Sequence, residues 1–163
     1  MKSETTLVQH INTADILQDM RKIIVASRKT AYQAVNVALL RRNWLLGKRI
    51  AEEELKGNGR AEYGLEIIKK LSKELTGEYG KGFTKTNLYT FYQFYKTFPE
   101  IFHSVSGKSG ALLTWTHYRT LLQVKDDKAR AWYEKEAIEQ TSVMHGSEQL
   151  FASQYKLYLP TEE

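Results

Sequence analysis

Cysteine is absent from this chain of 163 residues, which excludes a disulfide framework and a thiolate metal centre. Such a composition suits a reducing compartment. Proline is almost as scarce: Pro99 and Pro160 are the only two, so almost nothing forbids helix before position 98. No apolar run approaches the ~18 residues that span a bilayer. The opening MKSETTLVQH lacks the apolar stretch of a secretory signal. These absences lead us to expect a cytoplasmic protein without membrane association.

Acidic residues are missing from one long stretch. Between Met20 and Ala51 stand eight basic residues and no acidic one. They come as the pairs Arg21-Lys22, Arg28-Lys29, Arg41-Arg42 and Lys48-Arg49, whereas the segment from Ala111 onward is slightly acidic. The excess of +5 is therefore concentrated on the N-terminal side. What is present is otherwise ordinary for a globular chain, with 42% hydrophobic and 26% charged residues and enough length for one domain with a real core.

Hydrophobic spacing points to helices throughout. Ile16, Met20, Ile23, Ile24, Ala31, Ala34, Val35, Ala38 and Leu45 recur three or four apart, which predicts a helix from a Thr13 cap toward Leu55. About 40 residues is long for a globular helix, so coiled-coil-like packing or a hidden break at Gly47 is expected. A second helix follows KGNGR, with Leu65, Ile68, Leu71, Leu75 and Tyr79 as its stripe. Gly80-Lys81-Gly82 ends it. Thr84 then caps a helix from Lys85 to about Thr97, stopped by Phe98-Pro99. Leu88, Phe91, Tyr92, Tyr95 and Phe98 share its expected core face. HSVSGKSG reads as a loop, Thr114 or Thr116 caps a short helix, and Asp126 or Asp127 starts another. The fold class is all-α: a helical bundle with a long N-terminal helix, a helix-turn-helix-like element and a short extended C-terminal tail.

The stretch YGKGFTKTNLYTFYQFYKTFPE invites a phosphate-loop reading, which fails. The glycines follow a helix and lack the spacing of G-x-x-x-x-G-K-[ST]. The outer side of the Lys85 helix carries Lys85, Thr86, Tyr89, Thr90, Gln93 and Lys96 without an acidic residue. Ammonium, hydroxyl and amide groups suit phosphates and base edges. In a helix-turn-helix this would be the reading helix, with Lys85, Thr86 and Asn87 approaching first and Lys81 beside them. Arg21, Arg28, Arg42 and Arg49 are spaced by multiples of seven and so drift slowly along one side of a helix. Arginines aligned without acidic partners suit an anionic ligand, either nucleic-acid phosphate or an acidic protein surface; a solvated face is the plain alternative.

Catalysis has little support. The histidines are scattered, and Glu54-Leu55-Lys56 has the Glu-x-Lys spacing of some nucleases but ends a helical run. No catalytic residue, metal ligand or cofactor is assigned.

One resemblance is specific. Trp44 with Gly47-Lys48-Arg49-Ile50, Arg60-Ala61-Glu62-Tyr63-Gly64, Leu71-Ser72-Lys73 and Gly80-Lys81-Gly82-Phe83-Thr84 resemble the N-terminal domain of the YhcG-type bacterial PD-(D/E)XK nucleases. LLTWTHYRTLL and RAWYEKEAIEQ continue it, so that it covers about Ile23 to Gln140. The resemblance implies an all-helical domain for nucleic-acid recognition and self-association beside a nuclease domain. The family's β-rich nuclease core has no counterpart in this sequence, and LFASQYKLYLPTEE resembles the tail that follows that core. The resulting expectation is a flexible N-terminus (1–12), a helical recognition and dimerisation domain (13–140) and the family-like tail (141–163). It would be a non-catalytic module that binds nucleic acid, with duplex DNA preferred, and forms a homodimer through its long N-terminal helix. The alternative is a protein-interaction module that docks a nuclease subunit or another partner.

Overall fold

A computed structural model describes residues 14–58, 60–102 and 113–144. The expected flexible N-terminus, the HSVSGKSG loop and nearly all of the C-terminal tail lie outside the described residues. Those described are all-α: α1 (Ile16–Lys56), α2 (Ala61–Tyr79), a 3₁₀ turn (Lys81–Phe83), α3 (Lys85–Thr97), α4 (Trp115–Leu121) and α5 (Asp127–Met144). The chain divides into two units, Met1–Leu39 and Leu40–Glu163.

Local chemistry explains the boundaries. The Asp15 carboxylate accepts from the amides of Leu17 and Gln18 and starts α1. Asn58 ends the turn after α1 with a left-handed φ of 59°. Gly80, at φ 92°, lets the chain leave α2 into the 3₁₀ turn. The Thr84 hydroxyl accepts from the Asn87 amide at the start of α3. Thr114 and His117 form a capping box at α4, and Asp126 accepts from the Ala129 amide at α5.

In the first unit, α1 leaves Ile16, Leu17, Met20, Ile23, Ile24 and Val35 exposed. The second unit has a core in two clusters. Leu40, Trp44, Phe94, Leu113, Tyr118 and Leu121 form one, and Ile50, Ile68, Leu88 and Phe91 form the other. Trp115 packs against both. Its indole lies 5.2 Å from the Phe94 ring and 5.5 Å from the Phe91 ring.

Gly47 is not a break in α1. The helix runs through it, and a Cβ there would overlap the Phe91 carbonyl oxygen of α3. Glycine is required because two helix backbones meet, not because a helix ends. Two expected stripes are corrected. On α2, Leu65 and Tyr79 are exposed, while Gly64, Ile68 and Ser72 are buried. Small residues suit that face because the Glu54 side chain presses on Gly64. On α3, Leu88 and Phe91 are buried as expected, but so is Phe94, which the sequence pattern passed over, while Tyr92 and Tyr95 are half-buried. With aromatics on every side, burial follows polarity: the phenylalanines go in and the tyrosine hydroxyls stay at the boundary.

Opposite outcomes are expected for two helix glycines. Gly47→Ala should lower the unfolding free energy by about 2 kcal/mol, since overpacking outweighs the ~1 kcal/mol helix preference for alanine. Gly77→Ala, with open space around its Cβ position, should raise it by roughly 0.5–1 kcal/mol. Urea unfolding of both variants measures each sign.

Candidate nucleic-acid interface

The candidate residues fall on three elements of the second unit and on the N-terminal part of α1. In the second unit, residues 40–56 of α1 support α3. The Trp44 indole N–H donates to the Phe98 carbonyl at 3.0 Å, and the Tyr95 ring meets Trp44 edge-on at 5.1 Å. Further along, the Tyr92 hydroxyl donates to the Glu54 carboxylate at 2.7 Å. These contacts fix the rotation of α3 about its own axis and so decide which side faces water. Lys85, Thr86 and Tyr89 are exposed, and Gln93 is half-buried. The Tyr89 and Tyr92 rings stack at 6.0 Å, giving that side a flat aromatic surface.

Asn87 is placed differently from its expected neighbours. Its side-chain N–H donates to the Gly82 carbonyl at 3.1 Å, so it braces the turn that precedes α3. The Thr76 hydroxyl secures the same turn by donating to the Phe83 carbonyl at 3.2 Å. Lys81 is exposed on this turn.

The four aligned arginines separate. Arg21 and Arg28 lie in the first unit, and Arg42 and Arg49 in the second. Arg42 packs over the Phe83 ring, 5.5 Å from its centroid, and donates to the Asn43 side-chain oxygen at 2.9 and 3.1 Å. Asn43 is itself buried. Arg42 is thereby pinned to the turn that carries Lys81 on one side of Phe83 and Lys85 on the other. Arg49 corrects the expectation of arginines without acidic partners: it pairs with Glu53 at 3.1 Å. Hydrogen bonds from Lys56 and Arg49 hold the Glu53 carboxyl below its ordinary pKa. The run Glu52-Glu53-Glu54 lies one helical turn beyond the basic pair, so (i, i+4) pairing was available to it.

The Glu54-Leu55-Lys56 triplet is on a helix. Glu54 accepts from Tyr92, and Lys56 pairs with Glu53 at 3.1 Å. Among the described residues no three His, Asp or Glu side chains group to hold a metal ion, and no helix is long and apolar enough to cross a membrane.

The DUF1016 N-terminal domain profile matches residues 19–156, most of the chain. This chain belongs to that family. A protein of Escherichia coli (strain K12) named "Putative nuclease YhcG" is 32% identical over 144 residues. The alignment takes in 71% of this chain and 38% of that relative, so the chain spans well under half of the relative's length. No solved structure matches. The resemblance read from the Trp44–Phe83 motifs is thus that of a DUF1016 N-terminal domain, and the match reaches into the segment after Gln140 that was expected to be a tail.

Sequence reading of this DUF1016 domain missed several held cations. Arg41 packs over the Phe102 ring at 5.6 Å. Arg130 bridges Asp127 at 2.7 Å and the Val124 carbonyl at 2.6 Å, with 16% of its side chain exposed. An Arg three residues after Asp on a helix is a readable signal for the second. Nothing local announces the Arg41–Phe102 contact, which spans about sixty residues of chain.

The Tyr92–Glu54 bond gives a pH signature. Burial first, then the hydrogen bond to Glu54, pushes the Tyr92 hydroxyl up to about 12. A pKa raised on folding stabilises in full below the unfolded value, about 10. That contribution is lost as pH rises through Tyr92's own value. The alkaline loss of stability between those limits should shrink in Tyr92→Phe, which itself costs about 1 kcal/mol at neutral pH. Urea unfolding followed across alkaline pH checks both.

Proposed function

We propose that this DUF1016 domain binds nucleic acid, with duplex DNA as its ligand, through the Lys81–Phe83 turn and the outer side of α3. The observation that carries this reading is the seating of Arg42 on Phe83, between Lys81 and Lys85 in the chain. Two basic segments about forty residues apart thereby meet at one helix start, and among the described residues none of the three forms an ion pair with an acidic side chain. Arg42, Lys81 and Lys85 take backbone phosphate and set affinity. Thr86, Tyr89 and Gln93 face the bases and set any preference. Arg49 contributes less, since Glu53 competes for it. Arg21 and Arg28 are further phosphate-binding groups of the first unit. The role is recognition rather than cleavage, beside the nuclease activity named for the Escherichia coli relative. A second reading, a protein-interaction module, is favoured by the exposed apolar residues of the first unit.

Fluorescence anisotropy of a labelled mixed-sequence duplex tests the proposal. The three phosphates held by Arg42, Lys81 and Lys85 alone give a log–log slope near −2.7, and Arg21 and Arg28 steepen it, so raising salt from about 50 to 200 mM should weaken binding at least about fortyfold. Arg42→Ala and Lys85→Ala should each reduce that slope by about one. A lack of duplex binding at low salt removes this reading and moves the interaction module ahead.

A further inference from the structure

The N-terminal part of α1 carries an apolar stripe with a symmetry that composition alone does not show. Ile16, Met20, Ile23, Ser27, Ala31, Ala34 and Ala38 are spaced 4, 3, 4, 4, 3 and 4 residues apart. The spacing reads the same in both directions from Ser27, and at 3.6 residues per turn all seven lie on one side of the helix. Size is not symmetric. The three positions before Ser27 are large and the three after it are alanine. Ile16 is 72% exposed, Met20 54% and Ile23 49%, and Ser27 and the three alanines are exposed as well.

We propose that this stripe is the seat of a second copy of the same chain, paired antiparallel about a two-fold axis at Ser27. In that arrangement Ile16 meets the partner copy's Ala38, Met20 its Ala34 and Ile23 its Ala31, and the two Ser27 residues meet at the axis. Each of the six apolar layers then holds one large and one small side chain. Interaxial distances of roughly 8–10 Å follow the side chains at the contact, so pairing a large with a small residue in every layer keeps the spacing constant along the ~33 Å of helix. A parallel pair would stack large on large at one end and alanine on alanine at the other, forcing the axes to splay. Leu17, Ile24 and Val35 flank one edge of the seam and widen the apolar contact. Arg28 stands on the same edge, one residue from the axis, so the two copies of Arg28 lie close. Pairing should therefore tighten as salt screens them, the reverse of nucleic-acid binding. The pairing does not rest on that binding.

The absence of cysteine gives a clean test on the full chain. Sedimentation equilibrium from micromolar to hundreds of micromolar should show a monomer–dimer equilibrium that strengthens with salt. Ile23→Glu should weaken it about a hundredfold, because symmetry places two charges in the seam. Its far-ultraviolet circular dichroism should be unchanged, since Ile23 is half-exposed in the single chain. Met20→Cys and Ala34→Cys, mixed under mild oxidation, should form a disulfide between the two variants. Neither should cross-link with itself, since like positions are then about 21 Å apart along the axis. A monomer at all concentrations overturns the proposal. So does a Met20→Cys homodisulfide, which means parallel pairing, or a dimer that forms neither cross-link, which means another surface.

Discussion

The approach of α3 to α1 at Gly47 is the constraint on which the second unit depends. The Phe91 carbonyl occupies the space that any side chain at position 47 would fill. Backbone contact at that point brings α3 close enough for Trp44 to hydrogen-bond the Phe98 carbonyl and for Tyr92 to reach Glu54. Leu88, Phe91 and Phe94 are thereby directed into the two core clusters, with Trp115 shared between them. Protein interiors tolerate little free volume, so one missing side chain sets the position of a whole helix.

The outer side of α3 is a consequence of that seating. Once Phe94 and Phe91 are buried, Lys85, Thr86 and Tyr89 are turned to water by the pitch of the helix. The turn before α3 is equally determined, by the left-handed Gly80, the Thr76 hydroxyl and the Asn87 amide. Arg42 then has a defined place because the Phe83 ring offers it an aromatic face and Asn43 an oxygen. A guanidinium held at two points loses less freedom on meeting a phosphate than a solvated lysine does.

Element boundaries were legible to within a residue or two because their causes are local. Thr84, Thr114 and Asp126 are caps in the sequence and caps in the structure, and Phe98-Pro99 stops α3 as expected. Side-chain partners were less legible. Periodicity put Tyr92 and Tyr95 on the core face and passed over Phe94, because a hydrophobic count does not register where a hydroxyl must find a partner. The aligned arginines looked equivalent on spacing alone. Their separation into a pinned Arg42 and a Glu53-paired Arg49 depends on what lies within a few ångströms of each guanidinium.

By itself the sequence determined that this chain is helical, where its helices start and stop, and that its N-terminal half is basic. Those properties follow from backbone preferences, caps and charge, which act over four residues or fewer. The motifs around Trp44, Gly47 and Gly80 also sufficed to place it among DUF1016 N-terminal domains. Only the tertiary structure decided that Gly47 is a contact rather than a hinge, that Phe94 is the centre of α3, and that Arg42 belongs with the Phe83 turn. The first and last join residues some forty positions apart in the chain, and Phe94 meets Trp115 and Tyr118 more than twenty positions away. Such pairings are selected by the close packing of whole helices, and no pattern along a single helix encodes them.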